Sequence, residues 1–138
     1  MKLLALDCET TTWNKGNPYD SRNRLVCYSF ADSSSCGTRR ADSMDYLRDY
    51  LRSVDVVIGF NFKFDLAWFL KAGLSTIRDK HIWDVQIAEF ILSNQTNRFP
   101  SLNETCERYG LEKKLDVVKE QYWDKGINTD EIPWEVLE

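Results

Sequence analysis

The chain has 138 residues, 43% hydrophobic and 29% charged, which suits one ordinary globular domain and leaves no ground for disorder. A net charge of -4 excludes a protein that coats nucleic acid through bulk positive charge, although a few local Lys and Arg residues can still face phosphates. The N-terminus runs straight into a strand pattern and no apolar stretch is long enough to span a membrane, so neither a signal peptide nor a transmembrane helix is expected. Cys8, Cys27, Cys36 and Cys106 show no C-x-x-C pairing and read as reduced, mostly buried thiols of a cytosolic protein, with disulfides the minor alternative.

Leu3-Leu4-Ala5-Leu6-Asp7-Cys8-Glu9-Thr10-Thr11 reads as a strand that ends in two carboxylates one residue apart. Leu3, Ala5, Asp7 and Glu9 share one face, and Leu4, Leu6 and Cys8 the other. Both faces are apolar up to Asp7, which predicts a central strand covered on both sides with its acids at the C-terminal end, where open α/β sheets bind ligands. Two like charges so close repel, and a hard divalent cation is the simplest reason to pair them; a strand running out into a polar loop is the bland alternative.

Thr12 to Arg24 is a polar loop with Gly16, Asn17 and Pro18, in which Trp13 is the large apolar residue and Arg22 and Arg24 are phosphate contacts or a solvated loop face. Leu25 to Ala31 and Cys36 to Arg40 read as two strands of an antiparallel meander, joined by the turn-rich Asp32-Ser33-Ser34-Ser35. Asp42 or Ser43 caps a helix in which Met44, Leu47, Leu51 and Val54 recur at helical spacing. Val56 to Ile58 is a buried strand, Gly59 a turn, and Phe62 onward a helix with Asn61 as its cap and Phe62, Leu66, Phe69 and Leu70 as its stripe. Asp65 falls in the first or second turn, off that stripe. A Val56 strand parallel to the Leu3 strand brings Asp65 to the edge that carries Asp7 and Glu9.

Gly73 stops this helix, and His81 to Asp84 is a short edge strand with His81 at the surface or in packing. Asp84 caps a helix whose Val85, Ala88, Ile91 and Leu92 face inward. Ser101-Leu102-Asn103-Glu104 is a capping box for a helix closing at Gly110. Glu112 to Lys125 predicts a solvated amphipathic helix with Leu115, Val118, Tyr122 and Trp123 on its apolar side, and Pro133 opens a terminal helix. No repeat, low-complexity segment or domain boundary interrupts residues 1–138.

With Asp7-Cys8-Glu9-Thr10 followed by Asn61-Phe62-Lys63-Phe64-Asp65, an N-x-x-[YF]-D pattern, the sequence resembles the DEDD-type 3'-to-5' exonucleases, especially the proofreading domain of phage-type family A DNA polymerases. The resemblance covers nearly the whole chain. It implies an α/β ribonuclease H-like fold, a mixed sheet combining an antiparallel meander with parallel strands and flanked by helices. It also implies two divalent ions, Mg2+ or Mn2+, held by Asp7, Glu9 and Asp65 as the catalytic and metal residues. Asp7 bridges both ions, Glu9 holds the water-activating one, and Asp65 secures the second. Thr10, Trp13, Asn61, Lys63 and Phe64 are the implied substrate-binding residues; Trp13 either stacks on the terminal base or covers the sheet edge, and Asn61 and Phe64 shape the site. The implied partners are a single-stranded DNA 3' end and a polymerase domain or subunit, with no membrane, in the cytoplasm of a bacterial or phage-infected cell.

The family's third motif, Y-x-x-x-D or H-x-x-x-x-D, is not found. Tyr28 to Asp32 has the spacing but precedes the second motif, and His81 is not followed by an acid at the motif's spacing. The expectation is therefore one exonuclease domain over 1–138 without the C-terminal helix bearing the last ligand, unless Asp84, Asp130, Glu135 or Glu138 replaces it. Two alternatives stay open: an incomplete nuclease-fold module that binds single-stranded ends without turnover, and an exoribonuclease of the same superfamily.

Overall fold

A computed structural model describes residues 1–114 and 117–138. The central strand β1 (Leu3–Thr10) pairs antiparallel with β2 (Leu25–Ala31), which pairs antiparallel with β3 (Cys36–Arg40). On its other side β1 runs parallel to β4 (Val56–Gly59), which runs parallel to β5 (His81–Asp84). The spatial order is β3-β2-β1-β4-β5, a mixed sheet of the ribonuclease H-like kind with the expected meander on one side and parallel strands on the other. Leu3 lies opposite Val56 and Ala5 opposite Ile58, the pairing on which the convergence of Asp65 with Asp7 and Glu9 depended.

Helix α1 (Asp45–Leu51) carries the chain from β3 to β4, and α2 (Lys63–Lys71) from β4 to β5. Both crossovers join parallel strands and step along the sheet in the same direction, so right-handed connections put both helices on one face. That face receives Leu4, Leu6 and Cys8 of β1, packed with Tyr28, Leu47, Leu51, Val57, Phe62, Trp68, Phe69 and Ile77. Met44 and Val54 are buried as their spacing predicted, although the helix itself stops at Leu51.

The coverage of β1 on both sides is not found. Leu3 is 41% exposed, and Ala5 and Asp7 are exposed as well, because the two crossover helices both lie on the opposite face. Ala5, Asp7, Ser29, Ala31, Ile58 and Leu102 instead line an open groove of about 700 Å³.

Helix α3 (Val85–Leu92) departs from its predicted packing in a similar way. Ile91 and Leu92 are 60% and 62% exposed, whereas Glu89 is buried. β5 is the sheet's edge, so the described chain supplies no layer beyond it for that apolar stripe. α3 meets α4 (Leu102–Arg108) through Glu89, which accepts from Arg108 Nη1 at 3.1 Å and from the Tyr109 hydroxyl at 2.7 Å. The capping box of α4 is present, with Glu104 N donating to Ser101 Oγ and Ser101 N to the Glu104 carboxylate.

Two helix starts differ from expectation. α1 has Met44 at its cap position, with Ser43 Oγ accepting from Asp45 N, so Asp42 plays no capping part. α2 begins after Phe62, and Asn61 sits at φ +53° without capping. The predicted helix over Glu112 to Lys125 is reduced to α5 (Val117–Gln121) and a turn at Trp123–Lys125, with residues 112–114 outside any helix; Leu115 lies outside the described residues. α6 (Trp134–Leu137) follows Pro133 as expected. All four cysteines are free thiols, but Cys36 is exposed and Cys106 half-buried, so only Cys8 and Cys27 match the expected burial.

Candidate active site

β1 alternates Leu, Ala and Leu until the pleat delivers Asp7 and Glu9 to the open face at its C-terminal end. The Asp7 side chain is 58% exposed and that of Glu9 24%. Between them lies a cation, the Lys114 ammonium, 3.9 Å from Asp7 Oδ2 and 3.6 Å from Glu9 Oε1. Burial raises the Glu9 carboxyl above the usual range, Lys114 pulls it back down, and the neighbouring Asp7 pushes it up again.

Asp65 reaches the same strand from α2. Its carboxylate is buried and accepts from the backbone N–H of Cys8 at 2.9 Å, the residue between Asp7 and Glu9. Asp65 therefore lies on the covered side and not off the stripe, where the helical spacing had put it. Burial lifts its carboxyl to about 6, hydrogen bonding from Cys8 opposes the rise, and the Asp7 charge adds to it. Burial and the neighbouring Asp65 push the Cys8 thiol far above its ordinary range, and Cys8 lies on the covered face of β1, opposite the face of Asp7 and Glu9. Burial and the charge of Glu9 likewise push Cys27, paired with Glu9 across the sheet, up to about 11.

The three acids thus gather at one strand end, two on Lys114 and one on the Cys8 N–H, without forming a ready-made cluster of three metal ligands among the described residues. What the donors offer is carboxylate oxygen, the chemistry of a hard divalent cation, and Lys114 shows that Asp7 and Glu9 can hold positive charge between them. The residues fit such an ion.

No fourth carboxylate joins them among the described residues. Asp84 accepts three backbone N–H groups, from Asn61 at 3.0 Å, Phe62 at 2.8 Å and Gln86 at 2.9 Å, and so caps α3 and holds the Asn61–Phe62 turn that leads into α2. That is the structural role its position predicted for α3, with the turn before α2 held as well. Asp130 is held by Arg24 at 2.5 Å, and Glu135 and Glu138 are exposed. Arg24 is thereby engaged, as is Arg22 by Asp20, whose carboxyl it lowers to about 2.

The expected substrate residues divide. Thr10 and Phe64 line a small cavity of about 240 Å³ with Glu9, Lys15, Gly16 and Trp123. Gly16 can approach only because it lacks a side chain: a Cβ there would stand 2.7 Å from Thr10 Oγ1 and 3.0 Å from the Phe64 ring, and its φ of +71° favours glycine. Trp13 does not line this cavity; it is 49% exposed with the Arg22 guanidinium 5.1 Å from its ring centre. Asn61 lines the open groove with Asp7 and Lys114, and Lys63 lines a separate apolar groove with Trp83 and Ile87.

Lys114, Lys15 and Trp123 are the site neighbours that sequence reasoning missed. Lys114 stands in the run Glu112-Lys113-Lys114, which reads as a solvated face, and Trp123 reads as helix packing. No periodic signal separates them from their neighbours.

Comparison with known proteins bears on this arrangement. A family model described as 3'-5' exonuclease, of the DNA polymerase A type, matches residues 1–136. None of the curated proteins matches the sequence. Among solved structures, the fold is similar to part of the family B DNA polymerase from the hyperthermophilic archaeon Pyrobaculum calidifontis, with a TM-score of 0.61 and 16% identity over 82% of this chain. The chain spans 19% of the length of that polymerase.

Proposed function

This chain belongs to the 3'-5' exonuclease family of the DNA polymerase A type, and we propose that it removes nucleotides from the 3' end of single-stranded DNA as a proofreading domain over residues 1–138, with a polymerase domain or subunit as partner. The observation that carries the reading is the pair Asp7 and Glu9 on the end of β1 with a cation already between them, next to a cavity lined by Thr10 and Phe64. Two divalent ions, Mg2+ or Mn2+, would supply a nucleophilic water near neutral pH and neutralise the leaving 3' oxygen. Asp7 and Glu9 would hold that charge, and Asp65, behind them on the Cys8 N–H, would add its own when ionised. Thr10 and Phe64, with Trp123 and Lys15, receive the terminal nucleotide; an aromatic wall tolerates any base.

A second reading is favoured by one observation: no fourth carboxylate stands at Asp7 and Glu9 among the described residues. On that reading the chain binds single-stranded ends without useful turnover. Hydrolysis of RNA belongs to the same chemistry, since metal and phosphate contacts do not distinguish the sugars.

The test is degradation of an internally labelled single-stranded DNA oligonucleotide in Mn2+ or Mg2+, with an RNA of the same sequence, an EDTA control and the Asp7→Ala variant. Stepwise loss from the 3' end that disappears in the variant supports the enzyme. No shortening, with Mn2+ raising the melting temperature of the parent but not of Asp7→Ala, supports the binding module. Asp7 is exposed, so the variant is expected to stay folded.

A further inference from the structure

Lys114 is placed beside the acids by its backbone. Its N–H donates to Asn103 Oδ1 on α4 at 3.0 Å, which fixes the root of the side chain next to the end of β1. The ammonium then reaches Glu9 at 3.6 Å and Asp7 at 3.9 Å. Charge-assisted N–H···O hydrogen bonds run to about 2.7–2.9 Å, and both contacts to the acids are longer than that. A lysine is a compact point charge on a flexible four-carbon stem, able to leave such a contact without moving the main chain.

We infer that Lys114 is a built-in competitor for the cation site: its ammonium neutralises Asp7 and Glu9 when no metal is bound, and a divalent ion must displace it to enter. The inference rests on the reading of Asp7 and Glu9 as cation ligands. Without some cation between them, two acids one residue apart on one strand would repel, and Lys114 offsets that repulsion. The consequence is that apparent metal affinity is set by a competition. A divalent ion wins on charge, while the tethered ammonium is always present at high local concentration. Lys113, next in the chain, does not share this role, because its ammonium pairs with Glu107 at 3.2 Å.

The experiment is Mn2+ titration of the full chain, by calorimetry or by loss of the free-ion electron paramagnetic resonance signal, for the parent, Lys114→Gln, Lys114→Arg and Lys113→Gln. Exposed ion pairs of this kind contribute modestly, so Lys114→Gln is expected to bind Mn2+ about three- to tenfold more tightly. Lys114→Arg should bind like the parent, and Lys113→Gln, which changes net charge equally, should stay within about twofold. Unchanged or weaker binding in Lys114→Gln, or an equal gain in Lys113→Gln, overturns the competition and leaves the cation site standing. Absence of Mn2+ binding in every variant overturns the proposed site itself, and the competition with it. Should Lys114→Gln fail to fold, Lys114→Met, which keeps the stem, is titrated in its place with the same expectations.

Discussion

Replacing Asp65 by Asn is expected to stabilise the metal-free fold near neutral pH and to leave it nearly unchanged in acid. Asp65 is 4% exposed, and its carboxyl titrates at about 6 in place of the ordinary 3.8. Because the folded value lies above the unfolded one, the folded state binds the proton more readily. The contribution is complete below the unfolded value and is lost as the pH rises through the folded one. Integrating between the two values gives about 3 kcal/mol of stability lost near pH 7.5 and only about 0.5 kcal/mol near pH 4. Asparagine removes the charge and keeps an oxygen for the Cys8 N–H, as the protonated carboxyl does, and the stronger bond to the ionised form is already contained in the value of about 6. The net expectation is a variant about 3 kcal/mol more stable than the parent near pH 7.5 and about 0.5 kcal/mol more stable near pH 4. Urea unfolding of both proteins in EDTA, across that pH range, reads the difference directly. A deficit that stays constant with pH would refute the argument, since it would mean that the Asp65 charge carries no penalty in the fold.

Gly59→Ala should unfold the site from below: its Cβ would stand 2.0 Å from Cδ2 of the buried Phe62 ring, so a loss of at least about 2–3 kcal/mol is expected, and an unchanged melting temperature would contradict it. Asp84→Ala leaves three N–H groups at two helix starts without their acceptor and is expected to cost about 2–3 kcal/mol, partly restored in Asp84→Asn. Thermal unfolding of the two Asp84 variants side by side checks this, and a cost below about 0.5 kcal/mol in Asp84→Ala would show that water satisfies these groups.

Much of the fold was legible because its signals are local. Leu25 to Ala31 and Cys36 to Arg40 are strands with the bounds their composition predicts, since turn residues and β-branched or aromatic runs mark them without help from distant contacts. The Ser101 capping box and the Asp84 cap were readable for the same reason: a short polar side chain meets an N–H two or three residues on. What Asp84 does for α2 was not readable, because Asn61 and Phe62 lie more than twenty residues away in the chain and meet it only through the pairing of β4 with β5.

The candidate site divides along the same line. Asp7 and Glu9 were found from sequence because a two-residue period places both on one face of one strand, wherever that strand lies. Asp65 was found by its motif, but its burial and its bond to the Cys8 N–H follow from α2 packing against β1. The open face of β1 could not be foreseen, because an apolar residue on a strand records only that a face suits burial, and the direction of two crossovers decided which face the helices took. Nor could Lys114: a lysine in a charged run looks the same whether it meets water or a pair of acids. The sequence by itself determined the strands, the caps and the two acids of β1, through interactions between neighbours in the chain. Only the tertiary structure decided which side of the sheet is covered, what Asp65 is bonded to, and which cation sits between Asp7 and Glu9, because each depends on groups that come together only when the sheet is assembled.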